Sequence, residues 1–189
     1  MLKNIHPVQI GTYEIDLDKE LIYAVMQDYL VKPILVLQGG ASSYQIDRRS
    51  DYFLFDTRLD NLLRQIYSKL NEYLCSVGLA PCRINGSWFN KMEEGGKVDS
   101  HHHHGSVVSG ALYVDAPNES SPLVFTNPSM LNRMMEVYTN YPFDFHHEPV
   151  TEGKLILFPS WIEHQTYAQK SQRTVISFNT EHTDAPITF

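Results

Sequence analysis

Cysteine is scarce in this chain: Cys75 and Cys82 are the only two among 189 residues. Two thiols cannot make a disulfide framework, and their spacing is not that of a Cys-x-x-Cys pair, so a reducing, cytoplasmic setting is expected. Basic clusters are scarcer still. The longest is Arg48-Arg49, and the formal charge of −7 argues against a protein that grips a nucleic-acid backbone, which needs a basic stripe. No apolar run approaches the ~20 residues of a membrane-spanning helix. The first residues also lack the charged-then-apolar order of a secretory signal. Internal repeats and low-complexity tracts are missing too. These absences leave a single soluble globular domain, of a size that buries roughly 70% of the surface its unfolded chain exposes and so folds without staples.

What the chain does have is a change of pattern near residue 82. Residues 1–81 read as a helical part. Asp16 or Asp18 is placed to cap a helix in which Leu21, Ile22, Val25, Met26 and Tyr29 recur at helical spacing, ending before Pro33. Gln38 to Ser43 reads as a loop. Leu59, Leu62, Leu63, Ile66, Leu70, Tyr73 and Leu74 make one apolar stripe, stopped near Gly78 and Pro81. Both helices are expected to cover one face of a sheet. Over residues 82–182 the pattern is short strands between turn residues. Strands are expected over 83–92, 107–114, 123–125, 148–151, 154–158, 163–168 and 174–179. A turn is expected at Glu93-Glu94-Gly95-Gly96-Lys97, and a helical turn or two over Met130 to Tyr138. Short strands without crossover helices, in a chain rich in aromatics (Tyr 11, Phe 9), predict an antiparallel sandwich or jelly roll.

Of nine histidines, four are consecutive: His101-His102-His103-His104. As a bare cluster they fit a solvated polar loop equally well. Three features favour a metal. Side chains two apart on an extended segment point the same way, so either His101/His103 or His102/His104 can grip one ion. If the next strand continues without a bulge at Gly105, parity puts His101 and His103 on the side of Ser109, Ala111 and Tyr113. Downstream, His164 follows a Pro159-Ser160 turn between two strands. In a jelly roll such a position can lie beside an early strand, giving a facial set of ligands with open positions. Nine residues later Arg173 opens a strand. Its guanidinium suits the far end of a dicarboxylate whose other end chelates the metal.

The order of these blocks is familiar. Trp88-x-Asn90, Gly95-Gly96, His101-x-His103 and Ser109-Gly110-Ala111-Leu112-Tyr113-Val114 come first. Pro117, Phe125 and Asn127-Pro128 follow, then Glu152-Gly153-Lys154-Leu155-Ile156-Leu157-Phe158-Pro159-Ser160-Trp161, His164 and Arg173 to Asn179. Together they resemble a group of 2-oxoglutarate/iron(II) oxygenases distantly similar to the prolyl 4-hydroxylase and AlkB-type enzymes. The resemblance implies a double-stranded β-helix, that is, a mainly β, cupin-like jelly roll with flanking N-terminal helices. It also implies Fe(II) as the metal, 2-oxoglutarate as co-substrate, O2 as oxidant, and a hydroxylase that decarboxylates 2-oxoglutarate to succinate. On this resemblance His101 and His103 take the His-x-Asp/Glu positions, His164 the distal histidine, and Arg173 the outer carboxylate of 2-oxoglutarate. Asn90 stands where related enzymes place a co-substrate ligand, and Tyr113 and Ser177 flank the same pocket.

The departure lies at His103, where the wider superfamily supplies a carboxylate. A three-histidine site is neutral and leaves iron(II) its full charge toward an anionic co-substrate. It also requires three deprotonated imidazoles, which predicts pH sensitivity. Asp99 and His104 stay open as alternatives to His103. The substrate is a small molecule or peptide that no residue identifies. Membrane and nucleic-acid partners are not expected, and a homodimer is compatible with the sequence. Two other readings fit the histidines: a three-histidine cupin dioxygenase that does not use 2-oxoglutarate, and a non-enzymatic jelly-roll binding module.

Overall fold

The computed structural model describes residues 8–44, 52–128 and 145–187. The helical turns expected over Met130 to Tyr138 lie outside the described residues. The long amphipathic stripe forms α2 (Asp60–Val77), closed by Gly78 in the left-handed conformation, whose N–H reaches back to the Leu74 and Cys75 carbonyls. Asp18 caps α1 (Lys19–Met26) by accepting the Leu21 N–H at 3.0 Å. This helix stops at Met26, short of Tyr29. No helix among the described residues is long and apolar enough to cross a membrane.

Alternating residues build two antiparallel sheets. The large one has β1 (Gly11–Glu14), β8 (Lys154–Pro159), β5 (Val108–Asp115), β10 (Arg173–His182), β4 (Cys82–Val98), β3 (Leu37–Ser42) and β2 (Lys32–Ile34), in that spatial order. The small one has β7 (Phe145–Glu148), β6 (Leu123–Thr126) and β9 (His164–Gln165). One face of the large sheet packs Phe89, Leu112, Ile176 and Phe178 in a core with Ile22, Met26, Ile66 and Leu70 of the two helices. The opposite face shares a second core with the small sheet, where Tyr113, Ile156 and Val175 join Leu123, Phe125 and Ile162. Two facing antiparallel sheets with helices on the outer face match the expected jelly roll.

Several local expectations fail for one physical reason. The Gln38 to Ser43 stretch is not a loop but most of β3, and the Glu93 to Lys97 stretch is not a turn but the far part of the 17-residue β4. The two strands pair on both sides of a register shift between Gln38 and Gly40. Gly39 and Gly95 carry the positive φ there (65° and 78°), and a Cβ on Gly96 would sit 2.5 Å from the Gly39 carbonyl oxygen. The glycines therefore permit two backbones to stay paired across a bulge. The described residues before 82 thus contribute three strands as well as two α-helices. Two later strands also differ: β7 lies three residues earlier than expected, and the expected 163–168 strand reduces to His164–Gln165.

Candidate metal centre

Strand parity builds one wall of the site. On β10, Arg173, Val175 and Ser177 face the same way, and antiparallel pairing sets them beside inward residues of both neighbours. Ser177 pairs with Trp88 and Ala111, Val175 with Asn90 and Tyr113, and Arg173 with Met92. These residues line a cavity of about 260 Å³, and His101, His103 and His164 line it as well. All seven residues singled out by the sequence therefore meet in one place.

The histidines are held by backbone rather than by a continuing strand. His101 and His164 form an isolated antiparallel bridge with reciprocal N–H···O bonds of 3.1 and 2.9 Å. The His103 N–H donates to the Ser160 carbonyl at 2.9 Å. The chain then turns at His104-Gly105, with Gly105 at φ 77°, before β5 begins. The parity link from His103 to Ser109 is thus broken by that turn. The His-x-His geometry survives because His164 and Ser160 fix both histidines from the side. One ligand nitrogen from each of His101, His103 and His164 lies within 4.8 Å of the others. His102 and His104 turn away together, exposed, with ring nitrogens 3.3 Å apart. The Asp99 carboxylate is engaged with Gln38 at 2.5 Å and Lys97 at 3.2 Å, outside the cluster.

Aromatic rings enclose the three imidazoles: Phe158 lies 4.7 Å from His164 and Trp88 5.9 Å from His103, centroid to centroid. Burial pushes all three pKa values down, that of His103 to about 4, with the neighbouring histidines adding to the effect on His103 and His164. The Nδ1 of His101 lies 2.8 Å from the Asp99 carbonyl and that of His164 3.0 Å from the Ile162 carbonyl. A carbonyl only accepts, so both Nδ1 atoms carry the hydrogen and both Nε2 lone pairs remain for a metal.

Across the cavity Arg173 is 2% exposed. Its Nη1 donates to the Ser121 carbonyl at 2.7 Å, its Cζ lies 5.4 Å from the Tyr113 ring centroid, and Nε has no partner among the described residues. Among the described residues no carboxylate pairs with it. Burial lowers its pKa, but a guanidinium stays charged at any physiological pH. The cavity thus joins a neutral three-nitrogen donor set to a buried cation that has no carboxylate partner among the described residues.

Residues 86–179 match a family model described as "Putative 2OG-Fe(II) oxygenase". The chain belongs to the 2-oxoglutarate- and iron(II)-dependent oxygenases. Solved structures agree on the fold. A Pseudomonas putida prolyl-4-hydroxylase superposes with a TM-score of 0.63 at 13% identity, over 93% of this chain and 94% of the other. HygX from Streptomyces hygroscopicus, solved with nickel, 2-oxoglutarate and hygromycin B, gives 0.61 at 12% identity over 94% and 84%. A Trichoplax adhaerens prolyl hydroxylase in complex with a hypoxia inducible factor peptide gives 0.61 at 11% identity over 90% and 82%. No protein with a curated description matches at the sequence level. The fold is the double-stranded β-helix of these enzymes.

The oxygenase uses Fe(II), 2-oxoglutarate and O2, and the residues present fit them. Three imidazoles already neutral offer lone pairs to a divalent ion, and the buried guanidinium offers a charge for a carboxylate. The expected pH sensitivity is displaced, because burial has removed the competing protons well below neutrality. It reappears as stability. In the unfolded chain each imidazole takes its proton near 6.5, whereas folded His103 waits until about 4. Between those values the unfolded state binds more protons, so the metal-free fold weakens as pH falls through that window. From His103 alone the expected loss is about 2 kcal/mol between pH 7 and pH 5. Urea unfolding of metal-free protein at the two pH values measures it. A His103→Gln variant with an undiminished pH effect would show that the protons go elsewhere.

Sequence reading missed Ser109, Ser160 and Asn179 as part of the site's support. Their side chains connect, with Ser109 Oγ 2.8 Å from both Ser160 Oγ and Asn179 Oδ1. The signal was available for Asn179, which continues the alternation of Arg173, Val175 and Ser177. It was not available for Ser160, which reaches Ser109 only through the turn after β8.

Proposed function

We propose that His101, His103 and His164 hold the iron(II), and that Arg173 takes the outer carboxylate of 2-oxoglutarate, with Asn90, Tyr113 and Ser177 lining the co-substrate cleft. The enzyme then hydroxylates a small-molecule or peptide substrate in the cytoplasm. Arg173 is the observation that carries the reading. Burying a charge without a counter-ion is costly, and this one faces the cavity that holds the three histidines. A dianion with one end at the histidines and the other at Arg173 removes that cost.

The neighbouring groups support the same ligand. Burial pushes the Tyr113 hydroxyl up to about 12, so it remains an O–H donor at neutral pH. The Asn90 amide oxygen is buried without a donor among the described residues. Turning that amide places an N–H group at the same point, suited to a co-substrate that offers only acceptors. Bound iron(II) supplies the redox chemistry that couples oxidative decarboxylation of 2-oxoglutarate to hydroxylation of a C–H bond. The chain's own residues bind and orient the dianion, keep three imidazoles neutral and, through Phe158, Trp88 and Phe125, exclude water around them. The two unpaired thiols, Cys75 and Cys82, support the cytoplasmic setting.

Nickel-loaded protein is expected to bind 2-oxoglutarate in a calorimetric titration. Replacing nickel with iron(II), ascorbate and oxygen is expected to yield succinate. Metal-loaded protein that fails to bind the co-substrate would overturn the site assignment.

A further inference from the structure

The three imidazoles do not have equivalent supports. His101 and His164 each direct Nδ1 at a backbone carbonyl, which fixes the metal-binding tautomer irrespective of side chains. His103 instead directs Nδ1 at the side-chain amide of Asn179, at 3.3 Å from Nδ2. An amide can present either a donor or an acceptor, so this support does not by itself choose a tautomer.

With Nδ2 toward His103, the amide donates to Nδ1, the ring's hydrogen sits on Nε2, and Nε2 cannot bind a metal. Rotating the amide by half a turn exchanges its ends. Oδ1 then accepts the Nδ1–H of His103, and Nδ2 donates to Ser109 Oγ, which now lies 2.8 Å from Oδ1. Ser109 passes its hydrogen on to Ser160 Oγ, 2.8 Å away. Ser109 and Ser160 are both buried, and since hydroxyls serve as donor or acceptor, the chain closes in either sense. Asn179 is aimed into this position where β10 shifts register against β4, between Asn179 and Thr180.

We infer that Asn179 is the positioning residue of the third imidazole: with metal bound, its Oδ1 accepts the His103 Nδ1–H, and the Ser109–Ser160 hydroxyl pair accepts the Nδ2–H at the other end of the amide. The inference rests on His103 being a metal ligand. It gives that departure from the family's carboxylate a support of its own, carried by a side chain rather than by backbone.

Zinc(II) and cobalt(II) titrations of metal-free protein test it without turnover. Asn179→Leu keeps the volume but loses the acceptor, and is expected to weaken metal affinity ten- to hundredfold. Asn179→Asp keeps an acceptor toward both His103 and Ser109, and is expected to stay within a few-fold of wild type. In zinc-loaded, 15N-histidine-labelled protein, His103 is expected to show the Nδ1–H tautomer. An Nε2–H resonance for His103, unchanged affinity in Asn179→Leu, or equal loss in the Leu and Asp variants would overturn the inference. His103→Ala separates the two levels. If it leaves metal affinity intact, the ligand assignment itself fails. If it weakens affinity while Asn179→Leu does not, only the role of Asn179 fails.

Discussion

Replacing Arg173 with methionine is expected to weaken 2-oxoglutarate binding severely while leaving the fold about as stable as before. The two halves of that result have separate causes. For binding, the guanidinium is the charged partner of a buried carboxylate in the proposed complex. Removing one member of such a pair costs roughly 2–5 kcal/mol, or about thirty- to several-thousandfold in affinity. Lysine is not expected to rescue it, since a point charge on a flexible stem does not reproduce the planar fork. For stability, the free protein buries this cation without a carboxylate among the described residues. Methionine removes that penalty but leaves the Ser121 carbonyl without its donor, a loss of about 1–3 kcal/mol. The terms are of similar size and opposite sign, so Tm should move by only a few degrees. Calorimetric titration of the nickel-loaded variant and a thermal melt measure both halves. Unchanged co-substrate affinity would show that the anion is held by other residues.

His164→Ala is expected to remove metal binding, whereas His102→Ala leaves it nearly intact. His164 is 5% exposed and lies within 4.8 Å, nitrogen to nitrogen, of both other imidazoles. Its loss leaves two ligands, so the effect should exceed the ten- to hundredfold typical of losing an outer support. The reciprocal backbone bonds between residues 101 and 164 do not depend on the side chain, so the local pairing should survive. His102 is exposed and turned toward His104. Metal analysis after dialysis against iron(II) or zinc(II) compares the two variants. Metal retained in His164→Ala would remove this residue from the ligand set.

The departures from sequence expectation have a common origin. Gly39, Gly40, Gly95 and Gly96 read as punctuation, because glycine usually marks a turn. Here the missing Cβ lets β3 and β4 stay paired across a bulge, and no side-chain pattern records a backbone approach. Parity puts His101 and His103 together, and these are the two that meet His164, although the strand on which that parity depends is interrupted at Gly105. What holds the pair is contact with residues 160 and 164, far along the chain.

The sequence by itself determined what is local and periodic. It determined α2 and its Gly78 stop, and the strand that Arg173 opens. It also determined a block order specific enough to name the family. Only the tertiary structure decided the adjacencies. Those are the His101–His164 bridge, the turning away of Asp99 and His104, the burial of Arg173 without a carboxylate among the described residues, and the Ser160–Ser109–Asn179 chain behind His103. The physical reason is that periodicity assigns a side chain to a face, whereas pairing between distant strands decides which faces meet. It is that meeting, and the exclusion of water it produces, that keeps three imidazoles neutral and one guanidinium buried.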